Sequence, residues 1–346
     1  MVTIYDVASK AGVGPATVSR VINGGKNVKK STMEKVMQVI EETGYVPNTL
    51  ARGLSKGSSN NIAFVVPDID NQFFITLLHG ISDMARECDS NVFMFDTSEK
   101  VEWEHRVLDS LSSEMIKGLI IIPAVEEDRQ TRDKLLSFDG RGVPVVLIDR
   151  DVVGQSFDGV FSEDRNGSAE AVECLIAEGH RKIAIITGPL TSRPGRERLE
   201  GYKNALLDNG IEINDEYIVN GAFRVSESYN AMEKLMQAKD KPTAIFASNN
   251  LTTLGCLKYM KEHNLSICKD ISLVGFDDIP ELTYTDVSLT VVTRPVYDMG
   301  RNAMHLLSLR LLNENTEGLD RDIVRRHQVK TKLISRGSEK HVNMKV

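Results

Sequence analysis

The chain has 346 residues, of which 41% are apolar and 26% charged, so it is larger than one ordinary domain and has the composition of a globular protein. Its four cysteines form no CxxC pair, which excludes a zinc knuckle or a redox dithiol, and no apolar run approaches the roughly 20 residues of a membrane helix. The first ten residues lack a basic segment followed by an apolar one, so we expect no secretory signal and a cytosolic protein.

The net charge of −7 is unevenly distributed. Residues 1–60 carry eight basic and four acidic side chains, a charge of +4, whereas the remainder carries 34 basic and 45 acidic ones, a charge of −11. A small basic head on a large acidic body indicates that the head meets phosphate groups and the body does not.

The head begins with a capping box, in which Thr3 is the N-cap and Asp6 lies in the first turn of a helix that Gly12 can end. After a tight turn, Pro15 suits the first position of a second helix, over 16–22. Two helices joined by a short glycine-containing turn are typical of a helix-turn-helix unit.

A second capping box, from Ser31 to Glu34, predicts the start of a third helix. Val36 and Val39 would lie on its buried face, and Gly44 would end it. The head is therefore predicted to be all-α with three short helices.

The second helix carries side chains suited to DNA. Thr17, Ser19 and Arg20 can reach phosphates and base edges, while Pro15 and Ala16 are small enough to meet a thymine methyl group. Any small three-helix bundle would share the helical pattern, but this set of side chains favours DNA binding.

Two segments, TIYDVASKAGVGPATVSRVING at 3–24 and VPNTLARGL at 46–54, resemble the head of the LacI/GalR family of bacterial transcription regulators. The resemblance implies that the second helix enters the major groove with Pro15, Ala16 and Arg20. It further implies backbone-contacting roles for Thr3, Thr17, Ser19, Asn23, Thr32, Tyr45 and Asn48. Gly14 departs from the family's usual Ser, which removes one side-chain cap.

The stretch 48–60 is short and rich in Gly and Ser, so it reads as a linker that cannot hold a helix alone. The resemblance instead implies a hinge helix that forms on DNA, with Leu54 as an apolar wedge in the minor groove. The alternative is that Leu54 docks on the body.

Beyond residue 61 the sequence alternates between apolar runs and amphipathic stretches, which indicates parallel sheets covered on both faces. Eight strands are predicted, too many for one small sheet, so we expect two doubly wound subdomains with a site between them at the carboxyl ends of strands. The predicted strands are Ile62–Val66, Val92–Phe95, Gly118–Ile122, Val143–Ile148, Lys182–Ile186, Ala244–Ala247, Ile271–Val274 and Leu289–Val292.

Four body segments resemble the periplasmic-binding-protein-like core of the same family: PDIDNQFF at 67–74, GHRKIA at 179–184, GFDDIP at 275–280 and RPVYDMG at 294–300. The resemblance implies three crossings between subdomains, which we place near residues 160, 292 and 323. The predicted division is a helix-turn-helix domain 1–47, a hinge 48–60, a core 61–336 (N-subdomain 61–160 and 293–322, C-subdomain 161–292 and 323–336) and a polar, frayed tail 337–346.

Catalytic patterns are missing from the sequence: there is no GxSxG, GxxxxGK[ST], HExxH or GxGxxG, and no HxH or HxxxH pair. We therefore predict a protein that is not an enzyme and needs no cofactor or metal. Asp277 and Asp278 could be imagined as a metal site, but adjacent carboxylates after a strand more often cap a turn or bind a hydroxyl group. A sugar enzyme and a transport sugar-binding protein remain weaker alternatives.

Aromatic faces and charged, bidentate side chains are what a sugar needs from its site. The resemblance implies an effector pocket built from residues at strand ends and in loops, and the family's pocket positions correspond here to Phe73, Phe74, Asp149, Arg196, Phe223, Asn249, Asp277 and Arg294. Arg294 stands where the family usually has Gln, and a second guanidinium beside Arg196 favours an anionic sugar. Three phenylalanines would also suit a purine.

The sequence therefore predicts a homodimeric transcription regulator that reads an inverted-repeat operator and responds to a sugar-like effector, as a repressor of carbohydrate-utilisation genes. Within the family, the alternative is a global carbon-catabolite regulator that docks a phosphorylated carrier protein. Tyr297 and Asp298 resemble that branch, whereas His305 stands where its docking helix usually has Arg.

Overall fold

The computed structural model describes residues 2–22, 28–45, 60–113, 116–313 and 323–341. The chain divides into two compact units, the head (Met1–Ser59) and the body (Asn60–Val346).

In its described residues, the head has three helices whose starts and ends largely follow the sequence pattern. These are α1 Ile4–Ala11, α2 Pro15–Ile22 and α3 Lys30–Thr43. Both bonds of the predicted capping box form, since the amide of Thr3 donates to Asp6 Oδ2 (2.8 Å) and the amide of Asp6 donates to Thr3 Oγ1 (3.3 Å). Gly12 ends α1 at φ 66°, a left-handed conformation that glycine adopts without strain.

The second predicted capping box is wrong. The amides of Thr32 and Met33 both donate to the carbonyl of Lys29 at 3.0 Å, so the N-cap is Lys29 and carries no side-chain cap. Ser31 and Glu34 consequently lie inside the helix. The three helices enclose a small core of Val7, Ala8, Ala11, Val18, Val21, Val36 and Val39.

Two six-stranded sheets form the body, which confirms the predicted pair of doubly wound subdomains. The N-subdomain sheet has the order β11-β5-β4-β3-β1-β2 and the C-subdomain sheet the order β12-β10-β9-β8-β6-β7. Pairing between neighbours is parallel except for β12 on β10. The strands are β1 Asn61–Val66, β2 Asn91–Asp96, β3 Gly118–Ile121, β4 Val145–Ile148, β5 Asp158–Ser162, β6 Ile183–Thr187, β7 Ile218–Asn220, β8 Ala244–Ala247, β9 Ser272–Phe276, β10 Thr290–Thr293, β11 Arg326–Val329 and β12 Lys332–Ile334.

Eight of these strands match the predicted runs, and β5, β7, β11 and β12 were not predicted. Three of the four are at sheet edges, where short polar strands give no apolar run to detect. The sheets are covered by the helices α4 Gln72–Glu87, α5 Val101–Ser113, α6 Arg129–Gly140, α7 Asp164–Ala177, α8 Arg193–Asp208, α9 Val225–Gln237, α10 Asn250–Glu262 and α11 Val296–Asn313.

The chain crosses between the subdomains after β5, after β10 and between β11 and β12. The first two crossings lie close to the predicted positions near 160 and 292. The third lies at residues 330–331 rather than near 323, because β11 pairs with β5 and keeps 326–329 in the N-subdomain.

Helix α11 returns to the N-subdomain and packs closely on α4. A Cβ on Gly80 would lie 2.1 Å from the carbonyl oxygen of Tyr297, and one on Gly300 would lie 2.2 Å from that of Leu77. Only glycine permits this approach, which fixes the start of α11 beside the cleft between subdomains.

The C-terminal segment is not frayed as predicted. Ser338 and Glu339 are buried, and the Ser338 hydroxyl donates to the carbonyl of Leu273 (2.6 Å) while accepting from the amide of Thr290 (2.7 Å). These contacts bind residues up to His341 to the C-subdomain sheet, whereas 342–346 lie outside the described residues.

Candidate functional site

Helix α2 presents the predicted DNA-reading surface on the outside of the head. Pro15, Ala16 and Arg20 are exposed, and Thr17 and Ser19 are half-buried. These three exposed residues are the ones that the family resemblance assigns to the major groove. Helix α2 can therefore present them to a partner.

The described residues that are predicted to contact the DNA backbone lie on or next to all three helices of the head. Thr3 is exposed and its hydroxyl donates to Asp6 (2.7 Å), while Thr32 and Tyr45 are half-buried, with Tyr45 against the head core. Tyr5, which is 70% exposed on α1, was overlooked, although its outward position follows from the helical period. Asn23, Asn48 and Leu54 lie outside the described residues.

In the body, a small cavity lies where carboxyl ends of strands from both subdomains meet. Seven of the eight predicted effector residues line it: Phe73, Phe74, Asp149, Phe223, Asn249, Asp277 and Arg294. Six further lining residues were not predicted: Asp68, Asn71, Glu99, Arg150, Pro194 and Arg198. Arg150 directly follows the predicted Asp149, and Asn71, Pro194 and Arg198 lie two positions from a predicted residue, which is the signal that could have found them.

Asp149 and Asp277 occupy equivalent places in the two sheets, after β4 and after β9. Their φ angles are 65° and 64°, and their amides donate to Val160 and Val292 on the adjacent strands (2.9 and 2.8 Å). A left-handed conformation at a residue other than glycine costs free energy, and such strain gathers at functional sites. The two carboxylates therefore face the cleft from opposite subdomains.

Arg294 joins these two carboxylates. Its Nε and Nη2 donate to the two oxygens of Asp277 (2.7 and 3.1 Å), and its Nη1 donates to Asp149 (2.5 Å) and to the hydroxyl of Ser162 (2.8 Å). The side chain is 2% exposed and its guanidinium lies 4.2 Å from the ring centre of Phe73. Its donors are thus directed at groups of the protein itself.

The charges at this junction stabilise one another. Burial alone would raise the pKa of Asp149, but the guanidinium groups of Arg294, Arg198 and Arg150 outweigh it and hold that pKa below its ordinary value. Burial likewise opposes the charged form of Arg294, yet Asp277 and Asp149 raise its pKa. Both side chains are therefore ionised across the ordinary pH range.

The predicted Arg196 does not line the cavity. It is 37% exposed and pairs with Glu126 and Glu127, whereas Arg198 is the arginine of α8 that points inward. Two positions along a helix differ by about 200° in direction, so only one of these arginines can face the cleft.

Arg198 is held between aromatic rings and polar groups. Its guanidinium lies 3.7 Å from the ring centre of Phe276 and 5.7 Å from that of Phe223. Nη1 donates to the carbonyl of Ser248 (2.6 Å) and Nη2 to Asp164 (3.3 Å), while the buried Nε has no partner among the described residues. An unpaired buried donor facing a cavity suits a ligand oxygen.

The charge balance of the cavity does not support the argument for an anionic effector. Four carboxylates and three guanidinium groups line it within the described part of the chain, and Arg294 is already paired twice. Arg196, the second guanidinium of that argument, lies elsewhere.

The adjacent carboxylates Asp277 and Asp278 point to different partners. Asp278 makes a bidentate pair with Arg336 (2.8 and 2.6 Å), while Asp277 faces Arg294. Across the described ranges, His, Cys, Asp and Glu side chains form no group of three or more that could hold a metal ion.

The subdomains also meet outside the cavity. Glu126, in the N-subdomain, is 1% exposed and accepts from the guanidinium of Arg196 (2.5 Å) and from the amide of Arg193, both in the C-subdomain. Nδ2 of Asn250 donates to Oδ1 of Asn71 across the cleft (2.9 Å). The body thus adopts a closed arrangement held by direct polar contacts.

Comparisons with known proteins agree with this architecture. Residues 3–48 match the family described as bacterial regulatory proteins, lacI family, and residues 172–339 match a periplasmic binding protein-like domain. Among the helices that the structure describes, none is sufficiently long and apolar to span a membrane.

Similar curated proteins cover nearly the whole chain. Catabolite control protein A of Priestia megaterium is 34% identical over 93% of this chain and 96% of its own length. The probable HTH-type transcriptional repressor ExuR of Bacillus subtilis is 32% identical, with 94% and 99% covered, and the repressor PurR of Vibrio vulnificus is 29% identical, with 99% and 100% covered.

Solved structures share the fold. The complex of the transcriptional regulator CelR with cellobiose has a TM-score of 0.71 at 29% identity, covering 98% of this chain and 100% of that one. The lac repressor dimer bound to operator and the anti-inducer ONPF has a TM-score of 0.82 at 25% identity, covering 98% and 99%.

Proposed function

The chain belongs to the lacI family of bacterial regulatory proteins, and from that membership we propose that it represses carbohydrate-utilisation genes in response to a small hydroxyl-rich effector. It is a DNA-binding transcription regulator rather than an enzyme. It acts in the cytoplasm as a homodimer, bound to a pseudo-palindromic operator in the nucleoid.

The observation that carries the proposal is the polar and aromatic lining of the cleft between the two subdomains. Its carboxylates and arginines offer acceptors and donors for hydroxyl groups, and Phe73 and Phe223 offer flat apolar faces. The relative whose complex contains cellobiose has the same fold over almost the entire chain.

We further propose that the effector is neutral. An acid would bring a negative charge to a lining that already has four carboxylates against three guanidinium groups, and it would find Arg294 paired with Asp149 and Asp277. Placing an uncompensated charge in a buried site is costly, whereas hydroxyl groups can both donate and accept there.

Two alternatives stay open. The three phenylalanines 73, 74 and 223 could stack on a purine, and one relative is named PurR. Another relative is named catabolite control protein A, but the face of α11 that a phosphorylated carrier would approach is less suited to a phosphate, because Arg301 already pairs with Glu87 (3.1 Å) and Tyr297 with Asp83 (2.6 Å).

A thermal-shift screen of neutral sugars, sugar acids and purine bases against the full chain tests the proposal. A neutral sugar at about 100 times its Kd should stabilise the protein by about 2.7 kcal/mol, or roughly 5 °C or more. It should also change operator affinity in a band-shift assay. Stabilisation by a sugar acid or a purine, or an operator response only to a phosphorylated carrier protein, would replace this effector assignment.

Arg198→Lys and Arg196→Lys form a matched pair for that assay. Arg198→Lys should abolish the response to the sugar, because Lys cannot reproduce the planar contacts to Ser248 and Asp164. Arg196→Lys should keep a sugar affinity close to that of the wild type, since this residue lies outside the cavity and the lysine keeps a positive charge beside Glu126. The reverse pattern would show that the effector binds elsewhere.

A further inference from the structure

Arg294 fills the place between the two subdomains where an effector would make its central contacts. Four hydrogen bonds direct its guanidinium to Asp277, Asp149 and Ser162, and the side chain is 2% exposed. Asp149 follows a strand of the N-subdomain sheet and Asp277 follows a strand of the C-subdomain sheet, so this one guanidinium connects both walls of the cleft.

The space left beside Arg294 is small. The cavity holds about 30 Å³, room for roughly two water molecules and far less than a sugar requires. The carboxylates of Asp149 and Asp277, which meet across this space, already accept hydrogen bonds from Arg294.

We propose that Arg294 is an internal occupant of the effector site, which closes the cleft in the absence of effector and makes each effector compete with it for Asp149 and Asp277. The competition with an effector rests on the proposed function, whereas closure by Arg294 does not. The specificity that follows is for ligands whose hydroxyl groups can donate to both carboxylates in place of the guanidinium.

A neighbouring cavity gives the displaced side chain a second position. It holds about 220 Å³ and shares Phe73, Asp277 and Arg294 with the first cavity. Asp278 and Glu281 also line it, and because Asp278 is paired with Arg336, Glu281 is the carboxylate that a guanidinium displaced from Asp149 and Asp277 can approach. Arg294 can therefore move without becoming an unpaired buried charge.

Two backbone amides report closure directly because their hydrogen bonds cross the cleft. The amide of Glu126 donates to the carbonyl of Thr191 (3.4 Å), and the amide of Arg193 donates to the carboxylate of Glu126. Hydrogen exchange at these amides measures opening of the cleft without any effector.

In the ligand-free wild type we expect both amides to be protected, and in Arg294→Gln we expect both to exchange at least about tenfold faster. Arg310→Gln is the matched control, because Arg310 pairs with Asp158 (2.7 and 2.8 Å) entirely within the N-subdomain. That control should lower the melting temperature without changing exchange at the two amides. Equal exchange in wild type and Arg294→Gln, or fast exchange in wild type, would overturn the proposal.

Chemical rescue distinguishes two roles of Arg294: a side chain that occupies the effector site, and a side chain that is needed only for folding. Arg294→Ala leaves a space between Asp149 and Asp277, and millimolar methylguanidinium should restore slow exchange at Glu126 and Arg193, whereas the same concentration of ammonium should not. If Arg294→Ala does not fold, the charge-balanced double variant Arg294→Gln/Asp277→Asn takes its place in the exchange measurement. Rescue that fails in a folded Arg294→Ala would reject the occupant role, and because no effector is present, either result is independent of the ligand screen.

Discussion

At the scale of single residues, the head and the body place very different demands on arginine. Arg20 is exposed on α2 and its guanidinium is available to a partner, whereas Arg294 and Arg198 are buried and satisfied mainly by the protein. Exposure follows from the helical period and could be predicted. The partners of the buried arginines are distant from them in the sequence, so these pairs could not be predicted from the sequence.

The exposed position of Arg20 supports a test of base reading. Arg20→Ala should weaken binding to the best site selected from a random DNA pool by about 1–3 kcal/mol, because a bidentate contact to a guanine would be lost. Binding to unrelated DNA should change little. Band shifts on both DNAs at one salt concentration measure the two effects, and equal losses would make Arg20 a phosphate contact instead.

At the scale of elements, local sequence patterns correctly predicted the helix ends that depend only on residues within a few positions of one another. The capping box of α1 and the left-handed glycines that end α1 and α3 are short-range features, and they formed as predicted. The box proposed at Ser31 did not form, because the carbonyl of Lys29 accepts the first helical bonds. The hinge reading of Leu54 stays a prediction.

The C-terminal element offers a test that depends on pH. Nε2 of His180 lies 3.1 Å from the carbonyl of Glu339, which only accepts, so this nitrogen carries the hydrogen, and Nδ1 lies 2.8 Å from the hydroxyl of Thr243. Burial, together with the nearby His341, lowers the pKa of His180 from its ordinary 6.5 to about 4. The folded protein therefore keeps this side chain neutral where the unfolded chain takes up a proton.

The stability contributed by the neutral His180 should be complete above pH 6.5 and should be lost as the pH falls through about 4. The free energy of unfolding of the wild type should accordingly decrease more between pH 7 and pH 4 than that of His180→Gln, whose amide can donate to Glu339 without titrating. Urea unfolding at several pH values provides the comparison. Parallel pH profiles for the two proteins would show that His180 titrates normally when folded.

At the scale of the whole molecule, the crossings determine how the two subdomains work together. The chain changes subdomain directly after β5 and directly after β10, so Ser162 and Arg294 lie at the base of the cleft. A ligand can shift the balance between open and closed forms only by binding one of them better. Contacts such as Arg294 to Asp149 and Arg193 to Glu126 set the balance that the effector must change.

Coupling between effector and operator should be reciprocal. If the effector changes operator affinity by a factor within the usual range of roughly 5 to 150, saturating operator DNA should change effector affinity by the same factor. Calorimetric titration of the effector into the free protein and into the operator complex measures this ratio. A factor of one in the calorimetric titration would show that effector binding and operator binding are not coupled.

The sequence by itself determined the helical head and the pair of doubly wound subdomains, because these depend on local periodicity. The rule that sites form at the carboxyl ends of parallel strands predicted where the cavity lies, and the family resemblance of the sequence supplied seven of its residues. Only the tertiary structure decided that Arg198 rather than Arg196 faces the cavity, and that residues 326–329 stay in the N-subdomain. It also decided that Arg294 is neutralised by Asp149, which lies 145 residues earlier in the chain. The charge available to a ligand is the sum over side chains brought together by folding, and a pattern along the chain cannot supply that sum.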